Sequence, residues 1–240
     1  PGDTEAIAYL GRIYKETWME SWTWVTDPKQ RLKTAFESYH WLIQAFNTYV
    51  KGYRSDLNQY YPGVNAVTLG TILIYLADEF DDQEDPDPDI TAIREMLPEL
   101  QGALEFALET FAENEDVDYW TLVSLAELRV LNAPKPMMVT RAYRKALIAS
   151  RRNMFYLQSA LGQLDMLKSL EMRLEFVQAG IKAINDEIHR LAQEEPHEHD
   201  EEEQKEETVE QVFIFEGYAV DPIGNMRNLF PEKKEEKVRE

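Results

Sequence analysis

Arg141, Arg144, Lys145 and Arg152 recur at spacings of three, four and seven, which a helix places on one broad face. Guanidinium and ammonium groups gathered in this way can hold a phosphate, a nucleotide or an acidic peptide, because an arginine presents two parallel N–H donors to an oxyanion. The competing interpretation is a solvated face whose charges pair with nearby carboxylates. A second candidate is Tyr60-Tyr61-Pro62-Gly63-Val64-Asn65-Ala66. Asn65 is polar within an apolar stretch, so it must either bond a neighbouring backbone group or face a groove beside Tyr61. Tyr61 and Asn65 therefore join the four basic residues as candidate binding residues.

Other constellations fail on geometry. Asp85-x-Asp87-x-Asp89 resembles the opening of a calcium loop, but the twelve-residue frame needs Gly at its sixth position and Glu at its twelfth, where Ile90 and Met96 stand. His197-Glu198-His199-Asp200 supplies ligand types inside a charged segment with nothing to preorganise them. His40 and His189 fall within predicted helices, away from any catalytic pattern. The chain has no Walker loop, no G-x-G-x-x-G, no G-x-S-x-G and no H-E-x-x-H. Its acidic residues cluster in expected loops, where solvent keeps them ionised. Cysteine is absent, which removes disulfides, thiolate zinc sites and thiol nucleophiles and fits a reducing compartment. No catalytic residue, metal or cofactor is expected, and the expected location is the cytoplasm.

The elements that must carry these residues are helices. Ile7-x-x-Leu10-Gly11-x-x-Tyr14 matches the first-helix signature of a tetratricopeptide repeat, in which glycine lets the second helix of a pair approach closely. Trp120-x-x-Val123-Ser124-x-x-Glu127 and Tyr156-x-x-Ser159-Ala160-x-x-Gln163 occupy the same frame. Val139-x-x-x-Tyr143-x-x-Ala146 and Met172-x-x-x-Phe176-x-x-Ala179 supply the second helices that follow. Periodicity predicts eight helices in four pairs, at about 4–20, 29–53, 62–80, 89–112, 118–132, 136–151, 153–167 and 170–192. An insertion around Trp18 to Lys29 separates the first two, and Pro98 is expected to kink the fourth. Trp18, Trp22, Trp24 and Trp41 gather in that first part, where packing of the insertion is favoured over an interaction surface. The uncharged stretch 57–77 contains Asn58, Gln59, Pro62, Asn65 and Thr68, so it predicts a buried helix rather than a membrane span.

The formal charge of -20 is concentrated in two segments. Residues 78–89 hold eight acidic and no basic residues, and residues 194–210 hold ten acidic and one basic. The helical body is thus near neutral, while the total opposes indiscriminate nucleic-acid binding. The expected organisation is a repeat domain at 1–193, an acidic linker at 194–210, and at 211–240 the start of a truncated α/β domain, favoured over an isolated extension whose strand packs on the repeats. That start would comprise a strand at 212–215, a loop with Gly217, Asp221-Pro222 and Gly224, and a helix opened by Phe230-Pro231.

Leu10-Gly11-Arg12-Ile13-Tyr14-Lys15, the Tyr-Pro-Gly-x-Asn-Ala element at 61–66 and Asp118-Tyr119-Trp120-Thr121-Leu122 together resemble the TRAF-binding helical-repeat domain of apoptosis-signal-regulating kinases and bacterial multidomain signalling proteins. The tail is similar to the opening of the Rossmann-like domains that follow such repeats. The resemblance implies an all-α, tetratricopeptide-like solenoid acting as a protein-interaction and regulatory scaffold in signalling or conflict response. Its partners would be proteins or peptides, with an anionic ligand on the basic helix and no membrane. The alternative is the repeat region of a nucleotide-sensing or enzymatic protein whose active domain begins near residue 211. Within the scaffold view, the acidic linker can loosely cover the basic face.

Overall fold

The computed structural model describes residues 4–81, 87–114, 116–193, 213–215, 218–220 and 226–228. The chain divides into two compact units, Pro1–Leu191 and Ala192–Glu240. Nine helices lie among the described residues: α1 Thr4–Trp22, α2 Pro28–Glu37, α3 Tyr39–Ser55, α4 Tyr60–Phe80, α5 Pro88–Ala112, α6 Tyr119–Asn132, α7 Pro136–Ala149, α8 Met154–Ser169 and α9 Leu174–Gln193. Their starts are chemically marked. Asp27, Asp87, Asp118 and Asn153 each accept a backbone N–H of the first turn, and Pro28, Pro88 and Pro136 open α2, α5 and α7.

The helix expected over 29–53 is broken at Ser38, whose hydroxyl lies 2.9 Å from the Thr34 carbonyl and 2.6 Å from the Ser21 hydroxyl. The break lets α2 fold back over the end of α1. There Trp18 and Trp22 are buried edge to face at 5.1 Å, and the Trp18 indole donates to the Ala35 carbonyl at 2.9 Å. The insertion is thus a core element, and of its tryptophans only Trp24 is left largely exposed. Pro98 is accommodated inside a continuous α5.

Setting α2 aside as the insertion, the first unit is an all-α, tetratricopeptide-like repeat solenoid. The first helices of its four pairs are α1, α4, α6 and α8; the second helices are α3, α5, α7 and α9. Packing runs from α1 to α3, then α3 to α4, α4 to α5 and α6, and α6 to α7. No helix among the described residues is long and apolar enough to cross a membrane.

Close approach depends on glycine at a few positions. A Cβ on Gly11 would lie 3.1 Å from the Tyr49 ring of α3. On Gly70 it would lie 2.8 Å from the Phe46 ring, and on Gly180 2.8 Å from the Tyr143 ring. Ala146, the small residue of the second-helix frame, is fully buried.

In the second unit, the expected strand is present as β1 Phe213–Phe215. Two further strands, β2 Tyr218–Val220 and β3 Met226–Asn228, occupy positions where a loop was expected. They form an antiparallel sheet in the order β1-β2-β3, with Phe215 opposite Tyr218 and Val220 opposite Met226. Antiparallel pairing of successive strands is the meander pattern, where the expected α/β start calls for a crossover to a parallel strand. The helix expected beyond Phe230 and the acidic linker at 194–210 lie outside the described residues.

Two glycines in helix interiors should behave oppositely. Gly70→Val places branched carbons against Phe46 and Leu97 and should destabilise the fold by about 1–3 kcal/mol. Gly102 has nothing within 4 Å of a built Cβ, so Gly102→Ala should stabilise by about 0.5–1 kcal/mol. Urea unfolding midpoints of the two variants measure both effects.

Candidate functional site

The first helices of all four pairs converge on one inner face. Lys15, one residue beyond the α1 frame, donates its ammonium to Asn65 Oδ1 on α4 at 3.2 Å and to Gln163 Oε1 on α8 at 2.9 Å. This side chain ties the first repeat to the fourth across 148 residues of sequence. Asn65 is buried and makes the neighbouring-backbone bond: its Nδ2 donates to the Tyr61 carbonyl at 3.0 Å while its oxygen receives Lys15. Tyr61 keeps 42% of its surface exposed and meets Tyr49 edge to face at 6.1 Å. Desolvation of the hydroxyls raises the proton affinity of both phenols, so they remain neutral.

On α6, Glu127 stands in the same frame position as Gln163 on α8. Desolvation raises its pKa from 4.5 to about 7, against the pull of the Lys15 ammonium. No described residue offers its carboxylate a hydrogen bond. Around it stand phenols that burial holds neutral. Tyr119 donates to the Tyr156 carbonyl at 2.7 Å and stacks on the Tyr156 ring at 4.6 Å. Tyr143 is buried, its hydroxyl has no hydrogen-bond partner among the described residues, and Glu127 adds to the pressure against its ionisation. Nearby on α1, Arg12 is engaged with Glu16 at 2.6 Å. The inner face therefore offers one carboxylate acceptor, one committed ammonium and neutral aromatic hydroxyls, an arrangement suited to recognition by hydrogen bonding and ring contact.

The basic set is divided by the fold. Arg141, Arg144 and Lys145 lie on α7, but Arg152 lies beyond the Ser150 cap in the turn to α8. Lys145 donates to the Ala112 carbonyl at the end of α5 at 2.8 Å, where a cation complements the helix dipole. Arg141 is exposed and is not among the residues lining the groove that Arg144 and Arg152 share. Arg144 and Arg152 share a groove with Arg151 and with Arg190 from α9. Arg151 and Arg152 both hold left-handed backbone, with φ of 47° and 67°. The single helical face expected for four residues is thus replaced by a groove to which two of them contribute.

The remaining candidates have structural surroundings. Asp87 caps α5 through the Asp89 N–H at 2.8 Å and accepts the Tyr39 hydroxyl at 2.7 Å. Asp85 and the segment His197-Glu198-His199-Asp200 lie outside the described residues. His40 is exposed beside Trp41, ring centroids 4.9 Å apart, and His189 is exposed on α9. Among the described residues no three acidic or histidine side chains gather where they could hold a metal.

Lys15, Glu127 and Gln163 escaped selection from sequence. Glu127 and Gln163 stand in the repeat frame at the slot that Tyr14 fills in α1, and polar residues at an aromatic slot were the available signal. Lys15 carried no local signal at all, since its partners are 50 and 148 residues away.

A family model described as Tetratricopeptide Repeats-Sensor matches residues 1–70. The match covers α1 to the first half of α4 and supports a tetratricopeptide-like repeat domain. No curated protein and no solved structure matches the chain.

Because the folded pKa of Glu127 exceeds its value of 4.5 in the unfolded chain, stability is undiminished below pH 4.5 and falls as pH rises to about 7. Above that the loss is at most about 3 kcal/mol, from 1.36 kcal/mol per pKa unit. Glu127→Gln, neutral throughout, should match the parent near pH 4.5 and exceed its unfolding free energy by up to about 3 kcal/mol at pH 8. Parallel urea titrations at the two pH values provide the measurement.

Proposed function

We propose that the helical unit is the interaction and sensing module of a multidomain signalling or conflict-response protein, acting in the cytoplasm as a regulatory scaffold rather than a catalyst. Its working surface in this proposal is the inner face around Tyr61, Asn65, Lys15, Glu127 and Gln163. The observation that carries it is Glu127, a half-buried, desolvated carboxyl to which no described residue donates a hydrogen bond, at the point where α1, α4, α6 and α8 converge. A group held at such a cost to folding is characteristic of functional sites.

Regulation follows from Lys15. A partner that engages Glu127, or draws Lys15 from the amide oxygens of Asn65 and Gln163, changes how firmly the first and fourth pairs are held together. Binding energy is thereby converted into a shift between conformations. The partners of this proposal are protein or peptide segments, in keeping with the resemblance to TRAF-binding repeats. The layout that goes with it is a repeat module at 1–193, an acidic connection at 194–210 and a further domain from 211.

A thermal-shift screen of peptides and metabolites tests the assignment. Compounds that raise the melting temperature should lose their effect with Glu127→Gln and with Asn65→Ala, keep it with Gly102→Ala, and be recovered chemically unchanged. Stabilising compounds whose effect survives both inner-face substitutions, or that are converted to product, would contradict it.

A further inference from the structure

The groove between the end of α7 and α9 encloses about 580 Å³ and is separate from the inner face. Its charge is arginine from three directions: Arg144 from α7, Arg151 and Arg152 from the turn, and Arg190 from α9. The carboxylates that also line it are already engaged. Glu187 receives Arg190 at 2.6 and 2.8 Å, and Asp186 receives Lys182 at 3.1 Å. Arg190 first, and Arg152 beside it, hold the Glu187 carboxyl below its usual range, so it stays ionised and paired. Arg144 and Arg151 are exposed and make no hydrogen bond or ion pair with any described residue.

Two further features bear on what would fill this space. Arg151 and Arg152 are consecutive non-glycine residues in the left-handed region, which Glu171 and Arg173 also adopt in the next turn, and this backbone carries both side chains to the groove. Beside them the groove is apolar: Leu147 is buried at its base, and Ile148 leaves 85% of its surface exposed next to Arg144 and Arg151. Several guanidiniums around one space match the three oxygens and near-double charge of a phosphate ester better than a carboxylate, which offers two oxygens and one charge. A free inorganic anion would make no use of Ile148, whereas a peptide carrying the phosphate can lay an apolar side chain on it. In a chain of net charge -20, such a basic patch also concentrates a dianion locally.

We propose that the α7–α9 groove docks a phosphorylated segment of a partner protein, with the phosphate among Arg144, Arg151 and Arg152 and a neighbouring apolar side chain on Ile148. This goes beyond the inner-face proposal and does not depend on it.

The test uses the full chain, immobilised, and two degenerate nonapeptide pools differing only in a central phosphoserine or serine. The phosphoserine pool should be retained at least tenfold more strongly. The double variant Arg144→Ala/Arg151→Ala should abolish that preference, and the charge-matched control Lys29→Ala/Lys33→Ala should keep it. Ile148→Ser should weaken phosphopeptide retention several-fold without changing the concentration of inorganic phosphate needed to displace it. Circular dichroism establishes that the variants are folded. Equal retention of the two pools, or equal loss in the lysine control, would overturn the proposal. Indifference to Ile148→Ser would reduce the groove to a site for any anion and would equally overturn it.

Discussion

An aromatic ring laid against a glycine of a neighbouring helix sets the geometry of this repeat unit. Tyr49 lies on Gly11, Phe46 on Gly70 and Tyr143 on Gly180, each so close that a Cβ would come within 3.1 Å of the ring. These contacts fix how near one helix of a pair lies to its neighbour, and hence how sharply successive pairs turn. Close packing then brings α1 and α8 near enough for the Lys15 ammonium to reach Gln163 while it still holds Asn65.

The polar inner face is costly to the fold. Polar groups drawn out of water are tolerated when hydrogen-bonded, and the half-buried Lys15 and Gln163 and the buried Asn65 and Tyr119 meet that condition through one another or through backbone carbonyls. Glu127 and Tyr143 do not. A Leu or Phe at either position would remove the desolvation cost, so packing alone gives no reason for a carboxylate and a phenol there. The proposed function supplies one, a partner engaged where the four first helices meet.

Much of the architecture was legible because it is local. The frame Ile7-Leu10-Gly11-Tyr14 needs only helical spacing, and it recurs through Trp120 and Tyr156, whose rings meet edge to face at 4.9 Å. The break at Ser38 was not legible, since it depends on Trp18 and Trp22 arriving from α1 to be covered. The candidate sites show the same division. Asn65 stands out as a polar residue in an apolar run, but its bond to Lys15 depends on how α1 and α4 are placed together. Helical spacing grouped Arg152 with Arg141 and Lys145 because it extends the helix past Ser150. The turn there breaks the group, and Arg190, which completes the groove, comes from a helix whose proximity no spacing rule indicates.

The convergence of the four first helices around Glu127 is tested most directly by titrating that side chain. Carbon-detected NMR of the Glu127 carboxyl in the folded protein should give a midpoint near pH 7. Lys15→Met should move it higher, since the ammonium favours the ionised form. A midpoint near 4.5 that does not respond to the loss of Lys15 would mean that the inner face is open to water and that the first and fourth repeats do not meet across it.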